Sequence, residues 1–219
     1  MPVEFYYLAM SPPCRGVWMV LEALGVEYTD KFINILNQEN KTPEFAKINW
    51  RQKIPAIRDG DFVLGESRAI ATYLCEEYAA RNNKTSIYPN DAKLRARINQ
   101  MLYVDENWSE QLMSYINIGG VVMRGEKPKT ENVDKVKEVL GAVEKVLNER
   151  KYIAADQLTI ADFFVYVTVG LLQMTEYKEY DAYPKLVAWQ KTMSELPYHK
   201  KTCEEPLGQL GAFYKSKLQ

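Results

Sequence analysis

Apolar and polar positions change rhythm once along this chain. Residues 3–9 are aromatic and β-branched, which predicts a strand. Over 12–24, Val17, Val20, Leu21 and Leu24 recur at helical spacing, and Gly25 follows as a stop signal. Residues 27–35 read as a second strand and 43–48 as a short helix. The run I-P-A-I-R-D-G-D-F-V-L predicts a hairpin, with strands at 56–58 and 62–64 around an Asp-Gly turn. Residues 66–79 then return to helical periodicity through Ile70, Tyr73 and Leu74. The order is β-α-β-α-β-β-α.

A polar stretch, A-A-R-N-N-K-T-S-I-Y-P-N-D, interrupts the pattern, and everything after it reads as helix. Residues 91–118 carry Leu94, Ile98, Met101, Leu102, Asp105, Trp108 and Leu112 on one face. Val133, Val136, Leu140, Val143 and Leu147 define another helix, and further helices are expected at 159–173, at 183–194 and from about 206. The prediction is an α/β domain over 1–80, a linker over 81–90 and an all-α domain over 91–219.

Composition narrows the function. Of 219 residues, 47% are apolar and 26% charged, which is ordinary for a globular chain with a sizeable core. The net charge of −1 leaves no excess cation to neutralise a nucleic-acid backbone. M-P-V-E-F-Y-Y lacks the basic region of a signal peptide, and the greasiest run, 163–174, is too short to span a bilayer. Three dispersed cysteines, Cys14, Cys75 and Cys203, without a C-x-x-C motif argue against a disulfide framework or a zinc site. A reducing, cytoplasmic setting fits. With His199 as the single histidine, a His-based triad is excluded unless that residue serves.

Four stretches carry candidate chemistry. S-P-P-C-R, residues 11–15, follows the first strand. Pro55 opens a strand and is open to two readings: an ordinary edge proline, or a cis peptide that turns Ile54 so that its N–H and C=O meet an extended peptide. Glu66 and Ser67 start a helix, where they either cap it or, with its free N–H groups and positive dipole end, receive an anionic ligand. Thr159-Ile-Ala-Asp162 is a capping box with a structural role.

Taken together, "FYYL…SPPCR", "PEFAKIN…IPAI", "ESRAIATYL" and "INQMLYVD" resemble the soluble glutathione transferases over essentially the whole chain, most closely the insect delta and epsilon classes and their unclassified relatives. The resemblance implies a thioredoxin-like N-terminal domain and a helical-bundle C-terminal domain. It implies an enzyme that adds the glutathione thiolate to small hydrophobic electrophiles in detoxification, as a cytoplasmic homodimer. No permanently bound cofactor is implied, and glutathione enters as co-substrate. The alternative is a catalytically weak relative that binds ligands or serves as a scaffold.

Residue roles follow from the same resemblance. Ser11 matches the catalytic serine that hydrogen-bonds the sulfur anion; its competing role is a plain N-cap. Glu66 and Ser67, with Arg68, would hold the γ-glutamyl end, and the main chain at Ile54-Pro55 would pair with the cysteinyl unit. Asp105 of a facing subunit would balance the ammonium, or else is a buried carboxylate serving a neighbouring helix. Delta-like relatives usually carry a histidine where this chain has Gln52 and often another near Asn40, and Trp50 replaces their proline. The glycyl carboxylate would then fall to Gln52, Asn40 or Lys53. The electrophile would meet Pro13, Ile35, Glu110, Met113, Asn117 and Phe213 in a pocket expected between the domains. Cys14 is expected to pack inward as a small hydrophobe.

Overall fold

In a computed structural model that describes residues 1–175 and 177–218, the chain divides into two units, Met1–Pro89 and Asn90–Gln219. The first unit is built on a four-stranded mixed sheet in the order β2-β1-β3-β4. Here β1 is Val3–Tyr7, β2 Tyr28–Phe32, β3 Ala56–Asp59 and β4 Phe62–Gly65. β1 runs parallel to β2, with Phe5 opposite Asp30, and antiparallel to β3, with Phe5 opposite Ile57. Strand alternation sends Val3, Phe5 and Tyr7 to a buried face, while Glu4 and Tyr6 take the other.

Helices α1 (Pro12–Leu24) and α3 (Ser67–Tyr78) pack against each other. α1 starts where two prolines preset helical φ and ends at Gly25, whose φ of 60° is the left-handed conformation that favours glycine. The short helix α2 (Pro43–Ala46) brings Phe45 into a small cluster with Ile48, Ala56 and Tyr6. At the hairpin tip, Asp59 accepts hydrogen bonds from the hydroxyls of Tyr73 (2.7 Å) and Tyr78 (2.6 Å), both on α3.

Two strands are shorter than the sequence suggests. β1 stops at Tyr7 rather than 9. β2 stops at Phe32 because the Asn34 side chain accepts from the N–H groups of Leu36 and Asn37, which curls the chain away from the sheet.

The second unit comprises α4 (Ala92–Ile116), α5 (Ile118–Arg124), α6 (Val133–Glu149), α7 (Ile160–Val169), α8 (Pro184–Ser194) and α9 (Glu205–Ser216), and no strand occurs among its described residues. α7 is buried along its whole length, and α4 packs on both α7 and α6. α6 contributes Val136, Val139, Leu140, Val143 and Leu147 inward, each worth about 1.5–3 kcal/mol of burial as an upper estimate.

The expected helix over 91–118 divides into α4 and α5. Asn117 sits between them in the left-handed region (φ 52°), and its Nδ2 donates to Glu126 Oε2 and the Lys127 carbonyl. The Tyr214 hydroxyl donates to the Ile116 carbonyl at 2.6 Å, which serves one of the acceptors α4 leaves open at its end. The helix expected over 159–173 tightens into a 3-10 turn at Gly170–Met174.

The capping box forms as read. Asp162 Oδ2 accepts from the N–H (2.9 Å) and hydroxyl (2.9 Å) of Thr159. Its Oδ1 accepts from the Ile153 N–H (2.8 Å) and Trp189 Nε1 (3.1 Å). Complete burial nonetheless pushes this carboxyl up to about 6.

Candidate functional site

The end of β1, the segment before α2 and the loop before β3 enclose a cleft of about 570 Å³ in the first unit. Ser11, Asn40, Lys53 and Ile54 line it, together with Ile35, Gln38 and Lys41. Its size falls in the roughly 300–1,000 Å³ range of small-molecule sites.

Ser11 stands at the N-cap position of α1 with extended backbone (φ −77°, ψ 121°) and makes no side-chain cap bond. Its N–H donates to the Leu8 carbonyl (2.9 Å), so the residue is anchored by main chain. The two residues after it, Pro12 and Pro13, have no N–H to offer. The first turn therefore carries the positive end of the helix dipole but presents no amide donor at those two positions. Pro13 is half-buried.

Cys14 is fully buried. Burial pushes its thiol up to about 12, against smaller opposing effects from the Ser11 hydroxyl and the Leu8 main chain. It is an inward-packed thiol and stays protonated at neutral pH.

The loop from 49 to 54 is held by two asparagines. Asn49 is buried; its Nδ2 donates to the Lys53 carbonyl (2.7 Å) and its Oδ1 accepts from the Arg51 N–H (3.1 Å). Asn40 Nδ2 donates to the Gln52 carbonyl at 2.8 Å. Gln52 itself is left-handed (φ 53°) and does not line the cleft, so its carbonyl, rather than its amide, is what Asn40 meets. The Ile54-Pro55 peptide is cis. The β1–β3 ladder ends at Tyr6 opposite Ala56, two residues beyond Ile54, so the sheet does not use the Ile54 main chain.

Glu66 precedes α3 with φ 65° and ψ 106° and makes no side-chain cap bond; its Oε1 pairs with Arg51 Nη1 at 2.7 Å. Ser67 is buried at the helix start, where α3 leaves its first N–H groups without intrahelical acceptors. Arg68 Nη1 lies 3.4 Å from Ser67 Oγ. Capping thus does not occupy the Glu66 side chain.

The remaining candidates belong to the second unit. Asp105 on α4 is fully buried within the chain. Glu110 is exposed and Met113 half-buried on the same helix; Asn117 is engaged at the α4–α5 break; Phe213 is half-buried on α9. Among the described residues, no group of three or more His, Cys, Asp or Glu is arranged to hold a metal ion. No helix among them is long and apolar enough to cross a membrane.

Sequence reasoning missed Gln38, Lys41, Asn49 and Arg51. They sit in loops or in and beside the single 3-10 turn at Glu39–Lys41, too short for any periodicity to mark them. Chemically, the cleft offers a hydroxyl donor, unused main-chain groups and amine cations without an opposing carboxylate in its lining. That suits an extended, anionic ligand.

Comparison with known proteins supplies the context. Residues 5–82 match the family model described as Glutathione S-transferase, N-terminal domain, and residues 92–197 match Glutathione S-transferase, C-terminal domain. The chain is 34% identical over 190 residues to glutathione S-transferase D7 of Drosophila melanogaster, covering 86% of this chain and 83% of that protein. An epsilon-class glutathione S-transferase from the housefly, Musca domestica, superposes with a TM-score of 0.90 at 29% identity, covering 98% of both chains. A glutathione transferase homologue from Drosophila mojavensis, solved with bound glutathione, gives a TM-score of 0.88 at 30% identity, covering 99% of this chain and 97% of that one.

Proposed function

The chain belongs to the glutathione S-transferase family, and from that premise we propose that Ser11 keeps the glutathione sulfur ionised for attack. The protein is a glutathione transferase; it takes glutathione as substrate and adds its thiolate to electrophiles, a chemistry that serves detoxification.

The physical task is ionisation. A cysteine thiol with a pKa near 8.5 is only about 3% thiolate at pH 7. Lowering that pKa by about two units takes roughly 2.7 kcal/mol of preferential thiolate stabilisation and makes most of the sulfur reactive. A hydroxyl donating to S⁻ is a charge-assisted bond, about twice as strong as a neutral one. The positive end of α1 adds its field, but Pro12 and Pro13 leave the hydroxyl as the principal donor there. Ser11 needs no base for this, because it never attacks anything itself.

The observation that carries the reading is that Ser11 lines the cleft while its hydroxyl makes no helix cap. Its contact with Cys14 does not compete, because a protonated thiol can act as the donor there. Around this centre, the Ile54 main chain beside cis-Pro55 would pair with the cysteinyl unit. Glu66, Ser67 and Arg68 would take the γ-glutamyl end. Ile35, with Pro13, gives the electrophile an apolar approach. In this reading Asn40 and Gln52 shape the loop, and Lys53 supplies charge. The enzyme works as a cytoplasmic homodimer on small hydrophobic electrophiles, with glutathione as co-substrate rather than resident group.

The test is Ser11→Ala. The ultraviolet absorbance of bound thiolate, titrated against pH, should show the glutathione pKa depressed in the native enzyme and near its free value in the variant. Turnover of a chlorinated nitrobenzene should fall about 10²-fold or more, the scale on which losing one charge-stabilising donor is felt. A variant that conjugates as fast as the native enzyme would refute the role of Ser11.

A further inference from the structure

We infer that Arg51 sets how strongly this protein reads a ligand ammonium, because it competes for the Glu66 carboxylate from within the chain; this rests on the reading above that Glu66 takes the γ-glutamyl end of glutathione. Arg51 Nη1 donates to Glu66 Oε1 at 2.7 Å, across 15 residues of sequence. Among the described residues, neither charged group has another partner. The carboxylate that would receive the ligand's ammonium therefore already holds a cation.

Two arrangements are open to an arriving ammonium. It displaces Arg51 from Oε1, and the existing ion pair is lost. Or it takes Oε2 while Arg51 stays, and two like charges then stand close together on one carboxylate. Both arrangements lower what the ammonium gains. Arginine stays charged at every working pH, so the competition does not switch off as pH changes.

The main chain on both sides of the pair is tied down. Buried Asn49 accepts the Arg51 N–H (3.1 Å) and donates to the Lys53 carbonyl (2.7 Å). The same side chain fills the space beside Gly65, the residue before Glu66. The Glu66 carbonyl accepts the Ile70 N–H at 2.9 Å in the first turn of α3. Arg51 thus gives way by rotating its side chain, without movement of the loop. The Arg51 and Glu66 side chains are 40% and 52% exposed, which leaves the pair weak enough for a ligand to overcome. Arg51 lies outside the lining of the cleft that holds Ser11, so replacing it leaves the sulfur end of the site in place.

Calorimetric titration with glutathione and with glutaryl-cysteinylglycine, which keeps both carboxylates and lacks the ammonium, tests this. Arg51→Ala and Arg51→Gln should each bind glutathione about two- to fivefold more tightly than the native enzyme, the range an exposed ion pair allows. Neither should gain affinity for the deaminated ligand. Added salt should narrow the gap between native and variant, because exposed charges are screened. Glu66→Gln should abolish the preference for glutathione over the deaminated ligand, with Arg51 present or replaced. Thermal melting of each variant checks folding independently. If the Arg51 variants bind glutathione no more tightly than the native enzyme, or gain equally for both ligands, the role of Arg51 is overturned while the glutathione reading stands. If Glu66→Gln keeps the preference, Glu66 is not the partner of the ammonium, and that part of the glutathione reading falls together with the role of Arg51.

Discussion

The side chain of Asn49 occupies the space where a β-carbon on Gly65 would lie: its Nδ2 would stand 2.7 Å away and its Cγ 2.9 Å. One buried amide therefore joins the end of β4 to the loop that carries Lys53 and Ile54.

Gly65→Ala should force Asn49 off the Lys53 carbonyl. Overpacking of this kind costs about 1–3 kcal/mol. Denaturant unfolding should show that loss together with weaker glutathione binding. Asn49→Ala should cost about 1 kcal/mol by itself, because the Lys53 carbonyl and the Arg51 N–H each lose their side-chain partner at a part-buried site. The two changes share one contact, so the double variant should be less destabilised than the sum of the singles.

Asp162 anchors the second unit through four donors. Asp162→Ala should cost more than about 3 kcal/mol, since several buried donors lose their acceptor at once. Chemical denaturation of the variant measures it.

The same carboxyl predicts a pH dependence. Burial raises it from the ordinary 3.8 to about 6, so the folded state holds its proton more tightly than the unfolded chain. Its contribution to stability is fully present below 3.8 and is lost as pH rises through about 6. Unfolding free energies measured between pH 4 and 7 should carry this slope in the native protein, and Asp162→Asn should remove that component.

The cysteines should be unreactive in the folded protein. Cys14, Cys75 and Cys203 are 0%, 3% and 2% exposed, and Cys14 is held protonated. A thiol reagent at pH 8 should label the native chain slowly and the denatured chain at all three positions. Rapid labelling of Cys14 in native enzyme would contradict its burial.

Tyr214→Phe removes the donor to the Ile116 carbonyl at the end of α4. A buried acceptor left unpaired costs about 1–3 kcal/mol. A lowered melting temperature with unchanged glutathione affinity is the expected result.

What the sequence disclosed follows the range of the forces involved. The limits of α1 were readable because Pro12, Pro13 and Gly25 act on their own backbone, and the Thr159–Asp162 box is equally local. The break after α4 was not. Apolar spacing ran on into Ile118, and the longer-range bonds of Asn117 to Glu126 and Lys127, which help hold a left-handed residue there, leave no trace in that spacing. Within the cleft, Ser11 and Ile54 came from a motif. Lys41 and Asn49 emerge only when residues distant in sequence are folded together: Asn40 against Gln52, and Asn49 against Gly65. The choice between an ordinary and a cis Ile54-Pro55 bond also lay beyond local sequence, since both forms tolerate the same neighbours.

The Asp59 carboxylate grips two phenols on one helix, and this has a bearing on the binding role proposed for the start of α3. Glu66 and Ser67 lie at one end of that helix, and Tyr73 and Tyr78 are moored toward the other. A molecule that settles on the near end meets a platform whose far end cannot swing. The disorder surrendered to make that platform was given up when the chain folded, and little of it is left for the encounter to extract.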